Sequence, residues 1–379
     1  MPFPPFPTSP NPATWVNGPI LASSLRNDVT NAVLLLSQRP LFYGQNNTGA
    51  SAGSGGSDFS LAMTAELVDT WNGHDDVTSS GGRSSQYFCQ FPGWYLCKIA
   101  VPWAYTGTTQ YLFGAGFQWT TGGVLTSTVR GANQLCGSTH NPVPQAVDLI
   151  EQTVAAAPGA GGDYIQFTAV QTSGSGINLT NTGTELPNAT IRWVAATTGT
   201  TGLPVPVNAS WPVPTAYITP AFLNTNIRDT INFLVYPPIC KATSATGSLP
   251  SQSFPSGTVV PLTTVAVDNY GGFTTGSGGG YTAPVAGVYY VYGQFNLSAS
   301  TGSTAYCAGL AVNGASAQWG DSVNKISDTT GGGAQVGKHL RLNSGDTVRF
   351  LACQGSGSSI SYNGSGINQC RMIVVWESA

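Results

Sequence analysis

The densest set of groups that could move a proton or hold a metal is His74-Asp75-Asp76, with Glu66 and Asp69 just before it. An imidazole beside carboxylates is the donor set of zinc sites and of acid–base pairs. Its setting points elsewhere, because Gly73 precedes it and a Ser/Thr run follows, which reads as a surface loop. Gly49-Ala50-Ser51-Ala52-Gly53 has the G-x-S-x-G form of a nucleophile elbow, a motif that needs a strand before it and a helix after it. Here it sits inside a Gly/Ser tract, so the match is one of composition. Asp163 and Asp346 stand in two Gly-Asp turns, where a side-chain-to-backbone hydrogen bond accounts for a carboxylate without catalysis. Asp28 and Asp229 lie beside Arg26 and Arg228 and read as ion pairs, solvated or between chains. The seven cysteines form no C-x-x-C pair and no Cys/His cluster, and an odd count predicts free, mostly buried thiols, with Cys89 and Cys97 unpaired. No catalytic, metal-binding or cofactor-binding residue emerges, so neither an enzyme nor a cofactor is expected.

What must position these residues is written twice in the chain. Trp15-Val16, Leu25-Arg26-Asn27, Val29 and Val33 are answered by Tyr217-Ile218, Ile227-Arg228-Asp229, Ile231 and Val235, at an offset of 202. Gly93 and Tyr95 are answered by Gly287 and Tyr289 at 194; Asp163 and Trp193 by Asp346 and Trp376 at 183. The order never changes, so the falling offset means longer loops in the first copy. Each copy opens on a helical pattern. Leu21, Leu25, Val29, Ala32 and Leu36 make one apolar stripe, and Leu223, Ile227, Ile231 and Leu234 another. Two readings stay open: each helix packs on its own domain, or it forms a neck against symmetry mates. The globular parts read as all-β, from short runs such as Thr347-Val348-Arg349-Phe350-Leu351 and Met372-Ile373-Val374-Val375-Trp376 between Gly/Ser/Thr/Asn turns.

Charged residues make up 8% of the 379 residues, against about a quarter in an ordinary soluble domain. A surface so poor in charge suits a chain buried in an assembly. The net charge of −3 offers no footprint for nucleic acid, and no stretch approaches the roughly 18 apolar residues of a membrane helix. The start, Met1-Pro2-Phe3-Pro4-Pro5-Phe6-Pro7, lacks the charged and apolar regions of a signal peptide, so assembly in a reducing cytoplasm is expected.

Tyr281-Thr282-Ala283-Pro284-Val285-Ala286-Gly287-Val288-Tyr289 and Leu342-Asn343-Ser344-Gly345-Asp346-Thr347-Val348 resemble the jelly-roll heads of complement-subcomponent and tumour-necrosis-factor-like proteins. That resemblance covers about 100 residues of the second copy. It implies two tandem antiparallel jelly-roll sandwiches, each preceded by a short α-helix, in a homotrimer. The expected division is a Pro/Phe-rich arm (1–13), a first neck helix (14–43), a first jelly roll (44–200), a Pro-rich linker (201–214), a second neck helix (215–239) and a second jelly roll (240–379). The structural residues are then Leu25, Arg26, Val29, Ile227, Arg228 and Ile231 on the helices, and Gly93, Tyr95, Asp163, Trp193, Gly287, Tyr289, Asp346 and Trp376 in the sandwiches. The duplication with its Trp15–x–x–Gly18–x–Ile20…Leu25-Arg26 opening looks like the minor tail and fibre proteins of phages that infect actinobacteria. This second resemblance implies a virion structural protein that binds itself, other virion proteins through its arm, and a host-envelope glycan through loops such as 299–306 and 355–366. A capsid-surface spike or decoration trimer is the nearest alternative. A tail-borne envelope-degrading enzyme is the alternative of another class.

Overall fold

A computed structural model describes residues 29, 31–49, 51–52, 56–74, 83–105, 111–121, 124–132, 134–136, 143–153, 163–180, 186–199, 201, 220–244, 246–252, 256–297, 304–315, 318–319, 324–326, 333–362 and 369–379. The Pro/Phe arm, nearly all of the linker, Leu25, Arg26, Asp28, Asp75 and Asp76 lie outside the described residues.

The strands that follow helix α1 (Asn31–Ser37) include β1 (Leu41–Gln45), β2 (Ala65–Asp69), β3 (Gln86–Phe88), β4 (Gly93–Ala100), β5 (Tyr111–Thr121), β6 (Val124–Arg130), β7 (Gln145–Gln152), β8 (Tyr164–Gln171) and β9 (Asn188–Ala195). Those that follow helix α2 (220–235) include β10 (Ile239–Thr243), β11 (Thr264–Asp268), β12 (Gly280–Thr282), β13 (Gly287–Asn296), β14 (Thr304–Val312), β15 (Gln318–Trp319), β16 (Gly333–Leu342), β17 (Thr347–Gln354) and β18 (Arg371–Ser378). In the first half one sheet runs β7-β4-β9-β1-β2, and the other holds β3-β8-β5-β6. Adding nine to each label gives the sheets of the second half, β16-β13-β18-β10-β11 and β12-β17-β14-β15, and these pairings are antiparallel throughout. This is the order of a jelly-roll sandwich, laid down twice.

The registers coincide residue by residue. Tyr95 faces Trp193 as Tyr289 faces Trp376, and the same bulge follows, with Val194 and Glu377 as its extra residues. Period-two alternation fills the cores: Ile165, Phe167 and Ala169 of β8 point into the first, and Val348, Phe350 and Ala352 of β17 into the second.

Two expectations are corrected here. The second helix does not keep to its own sandwich. Ile231 and Val235 are buried in the first core and Ile227 packs against it, while Phe233 enters the second core edge-on to Trp376 at 4.9 Å. The reason lies in its sequence: Phe233 stands off the stripe and gives the helix a second apolar face. A π-helical stretch, Asn224–Arg228, also separates α-helical Pro220–Leu223 from Asp229–Val235 and breaks the even spacing of that stripe. The first helix does pack on its own sandwich, through Ala32 and Leu35. The cysteines are the second correction. Cys307 and Cys353 are joined as a disulfide, because they sit directly opposite each other on β14 and β17 with Cα atoms 5.1 Å apart. Cys89, Cys97, Cys240 and Cys370 are free and buried, and burial pushes each thiol upward.

Candidate functional site

The carboxylate–imidazole cluster of the first half resolves into a turn. Asp69 ends β2 and accepts the backbone N–H groups of Trp71 (3.2 Å) and His74 (2.8 Å). Asp268 ends β11 and does the same for Gly272 and Phe273. His74 is buried against the ring of Phe42 at 4.6 Å, with Nδ1 3.4 Å from the Glu66 carboxylate and Nε2 3.0 Å from the Ser84 carbonyl. Among the described residues no group of three or more His, Cys, Asp or Glu is placed to hold a metal ion.

The sandwich residues singled out in the sequence come together as two copies of one lock. The Tyr95 hydroxyl donates to the Phe91 carbonyl and that of Tyr289 to Val285, each at 2.7 Å. The indoles of Trp193 and Trp376 donate to the carbonyls of Pro92 (3.2 Å) and Ala286 (3.3 Å). Gly93 and Gly287 begin their strands at φ of 152° and 154°. A Cβ there would meet the Trp193 or Trp376 indole and lie 2.6 Å from the Ala195 carbonyl or 2.5 Å from that of Ser378. The Gly-Asp turns are less alike. Asp346 is half-buried and accepts Asn343 N–H and Asn313 Nδ2, both at 2.7 Å, which holds its carboxyl below the ordinary range; Asp163 is buried and accepts Thr153 N–H at 3.3 Å. Arg228 pairs with Asp229, and Val29 and Ile227 pack against the first core.

A matching turn escaped the sequence reading. Gln171 accepts the Ser173 N–H and donates to the Ser175 carbonyl; Gln354 does so with Ser356 and Ser358. The repeated Gln–x–Ser–Gly–Ser string, 171–175 and 354–358, was the signal for it.

The functional geometry of greatest consequence lies between the sandwiches, where the β7-β4-β9-β1-β2 and β16-β13-β18-β10-β11 sheets meet. On one side the contact is sealed by Trp94, Leu96, Val147, Leu149, Val194 and Ala195 against Ile239, Tyr290, Tyr292, Ile373 and Val375. At its margin Lys241 Nζ lies 2.7 Å from the fully buried Asp148 carboxylate and donates to the Leu149 carbonyl at 3.1 Å. On the other side the sheets part around a cleft of about 390 Å³ lined by Leu41, Leu96, Lys98, Thr190, Arg192, His339 and Glu377. Glu377 pairs with Arg192 and lies 3.0 Å from His339 Nε2. The Lys98 ammonium sits 3.5 Å above the Tyr290 ring. Burial, with Arg192 nearby, pulls that ammonium down to about 8. Arg39, over the Trp193 ring, is lowered to about 10 by burial and by the same Arg192.

No family model matches the chain, and no curated protein matches it. Among solved structures it is similar to the globular domain of the zebrafish complement 1qA protein, at 11% identity and a TM-score of 0.27 over 42% of this chain and 99% of that one. It is likewise similar to murine APRIL, at 11% identity and 0.26 over 36% and 98%. Eiger TNF from S. frugiperda gives 12% identity and 0.28 over 37% and 93%.

Proposed function

We propose that this chain is a structural protein of a phage virion: a homotrimer serving as a minor tail or fibre component, docked to other virion proteins through its Pro/Phe arm and contacting a host-envelope glycan through its polar loops. The observation that carries self-association is apolar surface left open in a chain so poor in charge. Helix α1 buries Ala32 and Leu35 yet leaves Val33 49% and Leu34 39% exposed. Strands β2 and β11, each at the edge of its sheet with one neighbour, expose Leu67 (54%) at the centre of the first and Val265 (38%) in the second. An open strand edge bearing apolar side chains is a template for another chain, unless something covers it. Further copies of this chain cover these surfaces in the proposed trimer, each interface equivalent to the next by symmetry.

The phage assignment draws on the sequence resemblance, and the same surface would serve a capsid spike. Light scattering on the purified chain tests the first part: a solution mass near three chains of 39.2 kDa is expected, and a mass near one removes the trimer. Gold-labelled antibody to residues 240–379 on intact particles tests the second. Label at the tail tip or along fibres is expected, label over the head makes the protein a capsid decoration, and unlabelled particles end the virion reading.

A further inference from the structure

The internal repeat lets each residue of the cleft be compared with its counterpart in the other half. Pairing registers match Leu41 with Ile239, Leu96 with Tyr290, Lys98 with Tyr292, Thr190 with Ile373, Arg192 with Val375, His339 with Leu149, and Glu377 with Val194. All seven counterparts belong to the apolar seal. One set of positions, exchanged between the halves, thus makes a dry contact on one side and a charged cleft on the other. The fold itself is satisfied by apolar residues at these places. Five polar residues there carry a desolvation cost that packing does not require.

The charges do not balance. Glu377 occupies Arg192 and His339, while Lys98 has the Tyr290 ring beneath it and, among the described residues, no carboxylate within hydrogen-bond distance. We propose that this cleft binds an oxyanion, a carboxylate or a phosphate borne by a larger polar molecule, held by Lys98 and Arg192 with His339 as a third donor. A planar guanidinium and a mobile ammonium facing one space are the donor set for such a group. Glu377 fills the role of an internal competitor: its carboxylate rests on Arg192 until a ligand shares or displaces it. The cleft is partly open to solvent, with the His339 side chain on its wall 57% exposed, so entry needs no domain movement. The site stands apart from the trimer and virion readings and survives the loss of either.

Calorimetric titration of the full chain with glucuronate and, separately, with inorganic phosphate is the test. Saturable binding of either is expected, and whichever binds more tightly identifies the source of the anion. Lys98→Gln and Arg192→Gln are each expected to weaken binding at least tenfold, with Lys98→Arg retaining it. Glu377→Gln is expected to tighten it severalfold. Binding of the wild type should fall between pH 7 and pH 9 as Lys98, faced by Arg192, His339, Glu377 and Tyr290, loses its proton. Binding of neither anion overturns the proposal, as does binding that Lys98→Gln and Arg192→Gln leave unchanged in a folded chain. If neither binds and Arg192→Gln lowers the solution mass, the cleft is a contact between copies instead.

Discussion

The first and second sandwiches agree in strand order and in register, and they part company in their cross-links and in the faces they turn to each other. In the first, Gly114 and Val170 stand opposite each other at the place where the second joins Cys307 to Cys353. In the first, β7 presents Val147 and Leu149 to the partner sheet and buries them; in the second, β16 leaves its counterparts Gly337 and His339 exposed. The buried lock of glycine, tyrosine and tryptophan, by contrast, is the same to within 0.1 Å in its hydrogen bonds. What the two halves share is therefore what closes a jelly roll, and what differs is how each half meets something else.

The lock offers the strongest way to break the comparison. Trp193→Ala and Trp376→Ala should each cost about 3–5 kcal/mol of stability in chemical denaturation, and Gly93→Ala and Gly287→Ala about 2–3 kcal/mol, since a Cβ has nowhere to go. A large effect in one half and none in the other would show that the shared geometry is not a shared need. Next comes the cross-link. Replacing Cys307 and Cys353 together by alanine should cost about 2–4 kcal/mol, because the bond closes a loop of 46 residues, and the loss should appear in the second sandwich alone by hydrogen exchange. Equal loosening of the first sandwich would mean that the two unfold as one body.

The smallest effect belongs to the exposed turn. Hydrogen bonds from Asn313 and from the Asn343 backbone depress the Asp346 carboxyl, so its contribution is present above the unfolded value near 4 and is lost as pH falls through the lower, folded one. Wild-type exchange protection at Asn343 and Thr347 should decline only at strongly acid pH, whereas Asp346→Asn should lower it already at neutrality. An identical acid profile in the two proteins would remove Asp346 from the turn.

Much of this fold was legible because the chain repeats itself. Gly93 with Tyr95, and Gly287 with Tyr289, each followed at a distance by a tryptophan, mark the lock. The β-branched runs around Phe350 and Val374 mark core strands, since alternation leaves them little other choice. The helix stripe was visible too, but its destination was not: which core takes Ile231 depends on how two finished sandwiches meet. The cleft was hidden for the same reason. Lys98, Arg192, His339 and Glu377 are scattered over nearly the whole chain and carry no local motif, so only the docked sheets bring them into one space. Cysteine counting misled because an odd total says nothing about which two side chains stand opposite each other on neighbouring strands.

Helix α2 has a consequence for how the protein is made. Chains emerge from the ribosome N-terminal end first, and domains ordinarily close as soon as their last strand is out. Here the last described strand of the first sandwich ends at Ala195, but the sandwich still lacks Ile231 and Val235, which fill its core from the far side of the linker. Until those residues arrive the nascent sandwich holds an unfilled apolar hollow. The same helix then delivers Phe233 to the second core. Synthesis of the second half is thus what completes the first, and a chain interrupted within the linker leaves a sandwich complete in its strands but hollow at its centre.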